Sequence, residues 1–221
     1  MHLAMDSDSD EDVGLQQFKV IILGDGSVGK TSVAQRFTGD NFAQAYKQTI
    51  GLDFYAKQMA LPEGNEVTLQ VWDIGGQSIG GNMIGNYVYG AHAVIMMYDI
   101  TNYQSFQNLD DWYRLVRKTY STEKMPLIVL VGNKTDLSYQ RAVRLQKHQD
   151  FASLNDFMSF FVCAKSGDNI NAMFYRIAAR LAGVGVSKAD VDVQQRVVDA
   201  QVVDHPTMEP LAKSKQGCVA M

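Results

Sequence analysis

Gly24-Asp25-Gly26-Ser27-Val28-Gly29-Lys30-Thr31 stands between an apolar run, Phe18-Lys19-Val20-Ile21-Ile22-Leu23, and a helical stretch that reaches about Phe37. The octapeptide has the spacing G-x-x-x-x-G-K-[ST], with a strand before it and a helix after it, as that pattern requires. Glycines let successive backbone N–H groups converge on an oxygen-rich anion, and the helix N-terminus adds its partial positive charge at the same place. In such a loop Lys30 reaches the β- and γ-phosphates of a nucleotide, and the Thr31 hydroxyl is placed to ligate Mg2+. A Gly-rich turn with a surface lysine has the same spelling. The flanking strand and helix argue against that reading.

Outward from this loop the chain alternates. Leu52–Leu61 and Glu66–Trp72 flank Pro62-Glu63-Gly64-Asn65, which predicts a hairpin. Ala93–Tyr98 and Leu127–Val131 are two further apolar strands. Between them a helix starting at Ser105 would put Phe106, Leu109, Trp112, Tyr113 and Val116 on one face. A helix near 141–154, a strand near 158–163 and a helix near 168–182 complete the pattern. Such alternation predicts an α/β domain over residues 16–183, with six strands, mostly parallel, one antiparallel edge strand and helices on both faces. Trp72-Asp73-Ile74-Gly75-Gly76-Gln77, Asn133-Lys134-Thr135-Asp136 and Cys163-Ala164-Lys165 each follow a strand. They therefore fall at the strand ends where open α/β sheets bind ligands.

Four motifs in this order over residues 18–183 resemble the small GTPases of the Ras superfamily, and with them the P-loop NTPase fold. The resemblance implies GTP/GDP and Mg2+ as ligands. It gives Asp25, Gly26, Ser27, Val28, Gly29, Lys30, Thr31 and Ser32 to the phosphates, and Lys30, Gly76 and Gln77 to catalysis. Gly76 N–H would contact the γ-phosphate and Gln77 would orient the attacking water. Thr31 and Thr49 would ligate Mg2+ directly, and Asp73 through water. Tyr46 would lie against the nucleotide; Phe42 would stack on the purine or, failing that, anchor its loop. Asn133, Lys134, Asp136, Cys163, Ala164 and Lys165 would form the base site, with Lys134 over the phosphate loop and the Ala164 N–H meeting the guanine O6. The Asp136 carboxylate can accept from N1–H and the 2-amino group of guanine together. Adenine offers neither donor, so the same carboxylate would be left unpaired, and sites built on such pairing discriminate by about 10⁴-fold or more.

Within that superfamily the chain is similar to the Rab family. Thr49-Ile50-Gly51-Leu52-Asp53-Phe54, Leu69-Gln70-Val71-Trp72-Asp73, Tyr87-Val88-Tyr89-Gly90-Ala91 and Tyr98-Asp99-Ile100-Thr101 carry the likeness. Phe54, Trp72 and Tyr87 fall where Rabs present an aromatic triad to effectors; Trp72 also reads as core. Two features depart. Ile74-Gly75-Gly76 replaces the usual Thr-Ala-Gly, a spelling similar to the Arf branch, and Cys163 replaces a usual Ser. Residue 2 is His, with no glycine there to myristoylate, which argues against the Arf branch. Cys218-Val219-Ala220-Met221 reads as a C-a-a-X box and predicts a single farnesyl anchor on Cys218. One prenyl chain gives marginal membrane affinity. The expectation is a cytosolic protein that attaches reversibly to the cytoplasmic face of membranes, with a prenyl-binding carrier as a further partner.

The charge distribution agrees with this. The net charge is −4, yet residues 1–15 alone carry five acidic residues and no Lys or Arg. The rest sums to +1, poor equipment for nucleic-acid binding. The acidic start predicts disorder over 1–15, and sparse core material predicts a flexible tail over 184–221, in which Ser187–Val203 has helical spacing of Ala and Val with a thin apolar surface. Six glycines crowd residues 75–90, so ordering that segment is expected to depend on the nucleotide. No Arg lies between Phe37 and Thr49, so that loop offers no arginine finger; an activating protein, an exchange factor and effectors are implied, acting on a monomer. The alternative function is a nucleotide-binding scaffold with negligible turnover.

Overall fold

Val20, Ile21, Ile22 and Leu23 are fully buried, which places their strand at the centre of a sheet covered on both faces. The structure, a computed structural model, describes residues 16–39, 49–76, 84–120 and 124–195. Six strands, β1 (Gln16–Leu23), β2 (Leu52–Ala60), β3 (Glu66–Ile74), β4 (Ala93–Asp99), β5 (Leu127–Asn133) and β6 (Met158–Phe161), lie in the order β2-β3-β1-β4-β5-β6. Only β2 is antiparallel, paired with β3 across the predicted hairpin. Register runs Val20↔Val71 on one side of β1 and Val20↔Ala93 on the other.

Period-2 alternation sends Val20 and Ile22 to one face, Ile21 and Leu23 to the other. The first face is covered by α1 (Lys30–Gly39) and α6 (Ile170–Ala182), joined by a stacked Phe37–Phe174 pair with ring centroids 3.9 Å apart. The second is covered by α2 (Ile84–Val88), α4 (Leu109–Thr119) and α5 (Leu145–Leu154), with Trp112 and Val116 fully buried.

The helices differ from the sequence pattern in three places. The helix expected at Ser105 begins as a short α3 (Tyr103–Gln107), because the Asn102 side chain accepts the Ser105 N–H at 3.3 Å and caps it early. It then restarts as α4 after Asn108. The helix expected from 141 starts at Leu145, after a 3₁₀ segment over Thr135–Gln140. Beyond residue 183, the described start of the expected flexible tail carries a short helix. Ser187 and Asp190 form a reciprocal capping box that starts α7 (Lys188–Val193), and Val184, Val186 and Val191 lie against the core. The acidic segment 1–15, Phe42, Tyr46, Gln77 and Cys218 lie outside the described residues, as do residues 77–83 of the glycine-rich segment.

His148, on α5, is the one buried histidine among the described residues. Its Nδ1 is 3.0 Å from the Tyr98 hydroxyl, and its ring lies 4.2 Å from that of Phe161. Burial, helped by the Arg141 charge, lowers its pKa from 6.5 to about 4. The unfolded chain therefore takes the proton first as pH falls. Stability is complete above pH 6.5 and declines toward pH 4, by no more than about 3 kcal/mol. Thermal melts across that window should show the decline, and His148→Gln should flatten it.

Candidate nucleotide site

Residues 24–31 join the C-terminal end of β1 to the first turn of α1. Lys30 is buried, and its Nζ donates to the carbonyls of Gly24 and Asp25, both at 2.8 Å. Desolvation lowers its pKa to about 8 against the pull of Asp73 and Asp25. An ammonium has three donors; two are used here, and an anion set before the loop supplies what the buried charge lacks. The loop is also gripped from behind. Asn108 Nδ2 donates to Asp25 Oδ2 at 2.6 Å, and Trp112 Nε1 to Asp25 Oδ1 at 3.0 Å.

Three oxygen-bearing side chains meet beside Lys30. The Thr31 hydroxyl donates to Asp73 Oδ2, and Thr31 Oγ1 and Thr49 Oγ1 are 2.7 Å apart. Thr49 Oγ1 is 3.4 Å from the same carboxylate oxygen. Asp73 is fully buried, and desolvation raises its pKa although both threonines and Lys30 oppose the shift. Its Oδ1 is buried with no hydrogen-bond partner among the described residues. Two hydroxyls and a half-satisfied carboxylate are an oxygen donor set that fits a small hard cation such as Mg2+.

The strand end carrying Asp73 continues into two close approaches. A Cβ on Gly76 would lie 2.3 Å from the Asp25 carbonyl carbon and the Gly26 nitrogen, so only glycine fits against the phosphate loop. A Cβ on Gly75 would lie 2.6 Å from the Thr49 carbonyl oxygen. Gly75 N–H donates to Gly51 O at 3.0 Å. The departure from Thr-Ala-Gly thus lets the segment at Thr49–Gly51 settle directly on the end of β3.

The base side of the site is built around Asn133. Its Nδ2 donates to Val28 O at 2.9 Å, and its Oδ1 accepts the Ala164 N–H at 3.1 Å. The amide expected to meet guanine O6 is therefore oriented by Asn133, and a base oxygen would share it. Lys134, at φ 70°, pairs with Asp99 at 2.7 Å, while Asp99 Oδ1 accepts from the Thr101 amide and hydroxyl. Asp136 accepts from the Cys163 thiol at 3.2 Å and lies 3.9 Å from Lys165 Nζ. Cys163 thus does for Asp136 what a serine hydroxyl there could do.

The structure brings the phosphate loop, Thr49, Asp73, Gly76 and the Asn133 and Cys163 loops to one edge of the sheet. The aromatic trio stands apart. Phe54 is exposed and meets half-buried Trp72 edge-on at 5.7 Å, while Lys19 lies over the Trp72 ring at 4.4 Å and Tyr87 is half-buried. The sequence reading missed Arg36, Asn108 and Asp99, and placed Trp112 only in the core. Arg36 Nε donates to Ala164 O at 3.1 Å and its Nη2 to Lys165 O at 2.6 Å. A polar residue inside the helical pattern, such as Asn108, is the single local sign of these contacts.

A strand–loop–helix phosphate cradle, a buried Asp-Thr-Thr cluster and an Asn-Lys-x-Asp base site on a six-stranded sheet define a guanine-nucleotide-binding domain. The Ras family model matches residues 19–183, and the chain belongs to that family. It is 42% identical over 202 residues, 91% of this chain and 82% of the relative, to Ras-related protein Rab-28 of Caenorhabditis elegans. It is a GTP-hydrolysing switch of the Rab type, a class that acts in membrane traffic through regulators and effectors. Among the described residues no helix is long and apolar enough to cross a membrane.

Trp112→Phe keeps most of the buried volume and removes the indole N–H from Asp25. The carboxylate then loses a donor at a partly buried position, a loss of about 1–3 kcal/mol. We expect GDP release to accelerate about tenfold, read by fluorescent-nucleotide displacement.

Proposed function

We propose that GTP binds along this edge with Mg2+, and that the protein alternates between effector-recruiting and resting forms as the γ-phosphate comes and goes. The observation that carries the reading is the meeting of Thr31, Thr49 and Asp73 beside the buried Lys30. Thr31 and Thr49 would hold the cation, with Asp73 behind them. The metal, when bound, neutralises charge developing on the phosphates. Backbone N–H groups of residues 25–32 and Lys30 would hold the phosphate oxygens, and the Gly76 N–H would meet the γ-phosphate. Gln77 would orient the attacking water. Asp136, Asn133, Lys134 and the Cys163–Lys165 loop would select guanine, with Phe42 and Tyr46 completing the nucleotide's surroundings.

The switch follows from what holds Thr49. Among the described residues its hydroxyl is tied through Thr31 and Asp73 alone, and its carbonyl lies where a side chain on residue 75 would stand. Loss of the γ-phosphate removes a tie shared by Thr49 and Gly76, and both segments are free to relax. Effectors would read this change at Phe54, Trp72 and Tyr87. Residues 16–183 form the switching unit in this reading, and a single farnesyl group on Cys218, handed over by a prenyl-binding carrier, would attach a monomeric protein reversibly to membranes. Replacing Cys218 by Ser should then shift it to the soluble fraction of cells.

Turnover without an activating protein should be slow, of order 10⁻⁴ s⁻¹, since an arginine finger supplies about 10³–10⁵-fold. Single-turnover hydrolysis of preloaded GTP in the presence of Mg2+ tests this. Wild type should turn over slowly and Gln77→Leu should hold GTP intact. If both hold GTP unchanged, and an activating protein added in excess rescues neither, the chain is a nucleotide-binding scaffold.

A further inference from the structure

Arg36 lies two turns into α1, the helix whose first residues cradle phosphate, yet its guanidinium reaches the loop on the far side of the site. Nε donates to the carbonyl of Ala164 at 3.1 Å and Nη2 to that of Lys165 at 2.6 Å. A planar fork on two successive carbonyls fixes both the position and the tilt of the peptide units that carry them. The carbonyl of Ala164 and the N–H of Lys165 belong to one planar trans peptide and point in opposite directions. Holding that carbonyl toward α1 turns the Lys165 N–H away from α1. That N–H makes no hydrogen bond within the described residues, whereas the Ala164 N–H is already engaged by Asn133 Oδ1 at 3.1 Å.

We propose that Arg36 is a positioning residue for base recognition: by gripping the Ala164 and Lys165 carbonyls it presents the Lys165 amide N–H to the 6-oxo group of guanine. The inference rests on the guanine reading of the site. A cationic donor on the carbonyl also polarises the peptide, which strengthens the hydrogen bond its N–H makes on the other side. Arg36 thereby ties the phosphate half of the site to the base half through one helix. Asn133 fixes the preceding amide, so two side chains from different elements set two successive N–H groups. Asp136 reads the adjacent N1–H and 2-amino group with a side chain carried on the segment after β5, not on the gripped backbone, although the Cys163 thiol and Lys165 lie beside it.

The test uses the full chain and measures affinity and dissociation of four diphosphates. These are GDP, IDP, which lacks the 2-amino group, the 2-aminopurine riboside diphosphate, which lacks the 6-oxo group and with it the N1–H, and ADP. In Arg36→Ala, GDP should dissociate about tenfold faster, and the preference for GDP over the 2-aminopurine analogue should shrink by a similar factor. The preference for GDP over IDP should stay as in wild type. Arg36→Lys, which keeps the charge and loses the fork, should fall between the two. Unchanged ratios in both variants overturn the proposal. So does an equal collapse of both preferences, because Arg36 would then only support the fold. A wild type that binds ADP as well as GDP instead overturns the guanine reading itself, whatever the Arg36 variants do.

Discussion

One buried amide joins the halves of this site. Asn133 stands at the end of β5, almost wholly inaccessible, donating to the carbonyl of Val28 in the phosphate loop and accepting from Ala164 in the base loop. Removing it would leave a buried carbonyl and a buried amide unpaired, each a cost of about 1–3 kcal/mol. One side chain thus links the loops that follow three strand ends, those of β1, β5 and β6. The parallel sheet brings those ends to one edge, and Asn133 joins the loops there.

Around that fixed frame the charged groups are held under tension. Lys30 and Asp73 are both buried, and burial drives each toward its neutral form. Each is the other's partial compensation, and neither is fully satisfied by protein: Asp73 Oδ1 has no partner among the described residues. A polyanion with its cation completes both. The same logic explains why binding and shape are coupled here. Thr49 lies on a segment whose contact with the frame runs through the hydroxyl cluster and through glycines that permit close approach, so it follows the occupancy of the site.

The legible part of this architecture was local. Val20–Leu23 reads as a buried strand, and the phosphate-loop, Asp73, Asn133 and Cys163 motifs keep their meaning because each depends on backbone geometry over a few residues. Helix starts were less legible. Asn102 caps α3 two residues earlier than the apolar face indicated, whereas the Ser187–Asp190 box starts α7 where the helical spacing of Ala and Val begins. Of the contacts that hold the loops, only Asn108 left a local sign. Arg36 meets Ala164 across 128 residues and Trp112 meets Asp25 across 87. Trp112 sits on the apolar stripe of α4 and needs only its N–H to do this second task. No local pattern marks a guanidinium that grips carbonyls rather than carboxylates.

Competition binding of non-hydrolysable GTP and ATP analogues to the wild-type chain, with Mg2+ present and then chelated, tests the central claim most directly. The account predicts tight binding of the GTP analogue that the ATP analogue does not displace, weakened by orders of magnitude once Mg2+ is removed. Equal displacement by ATP, or affinity indifferent to chelation, would contradict it.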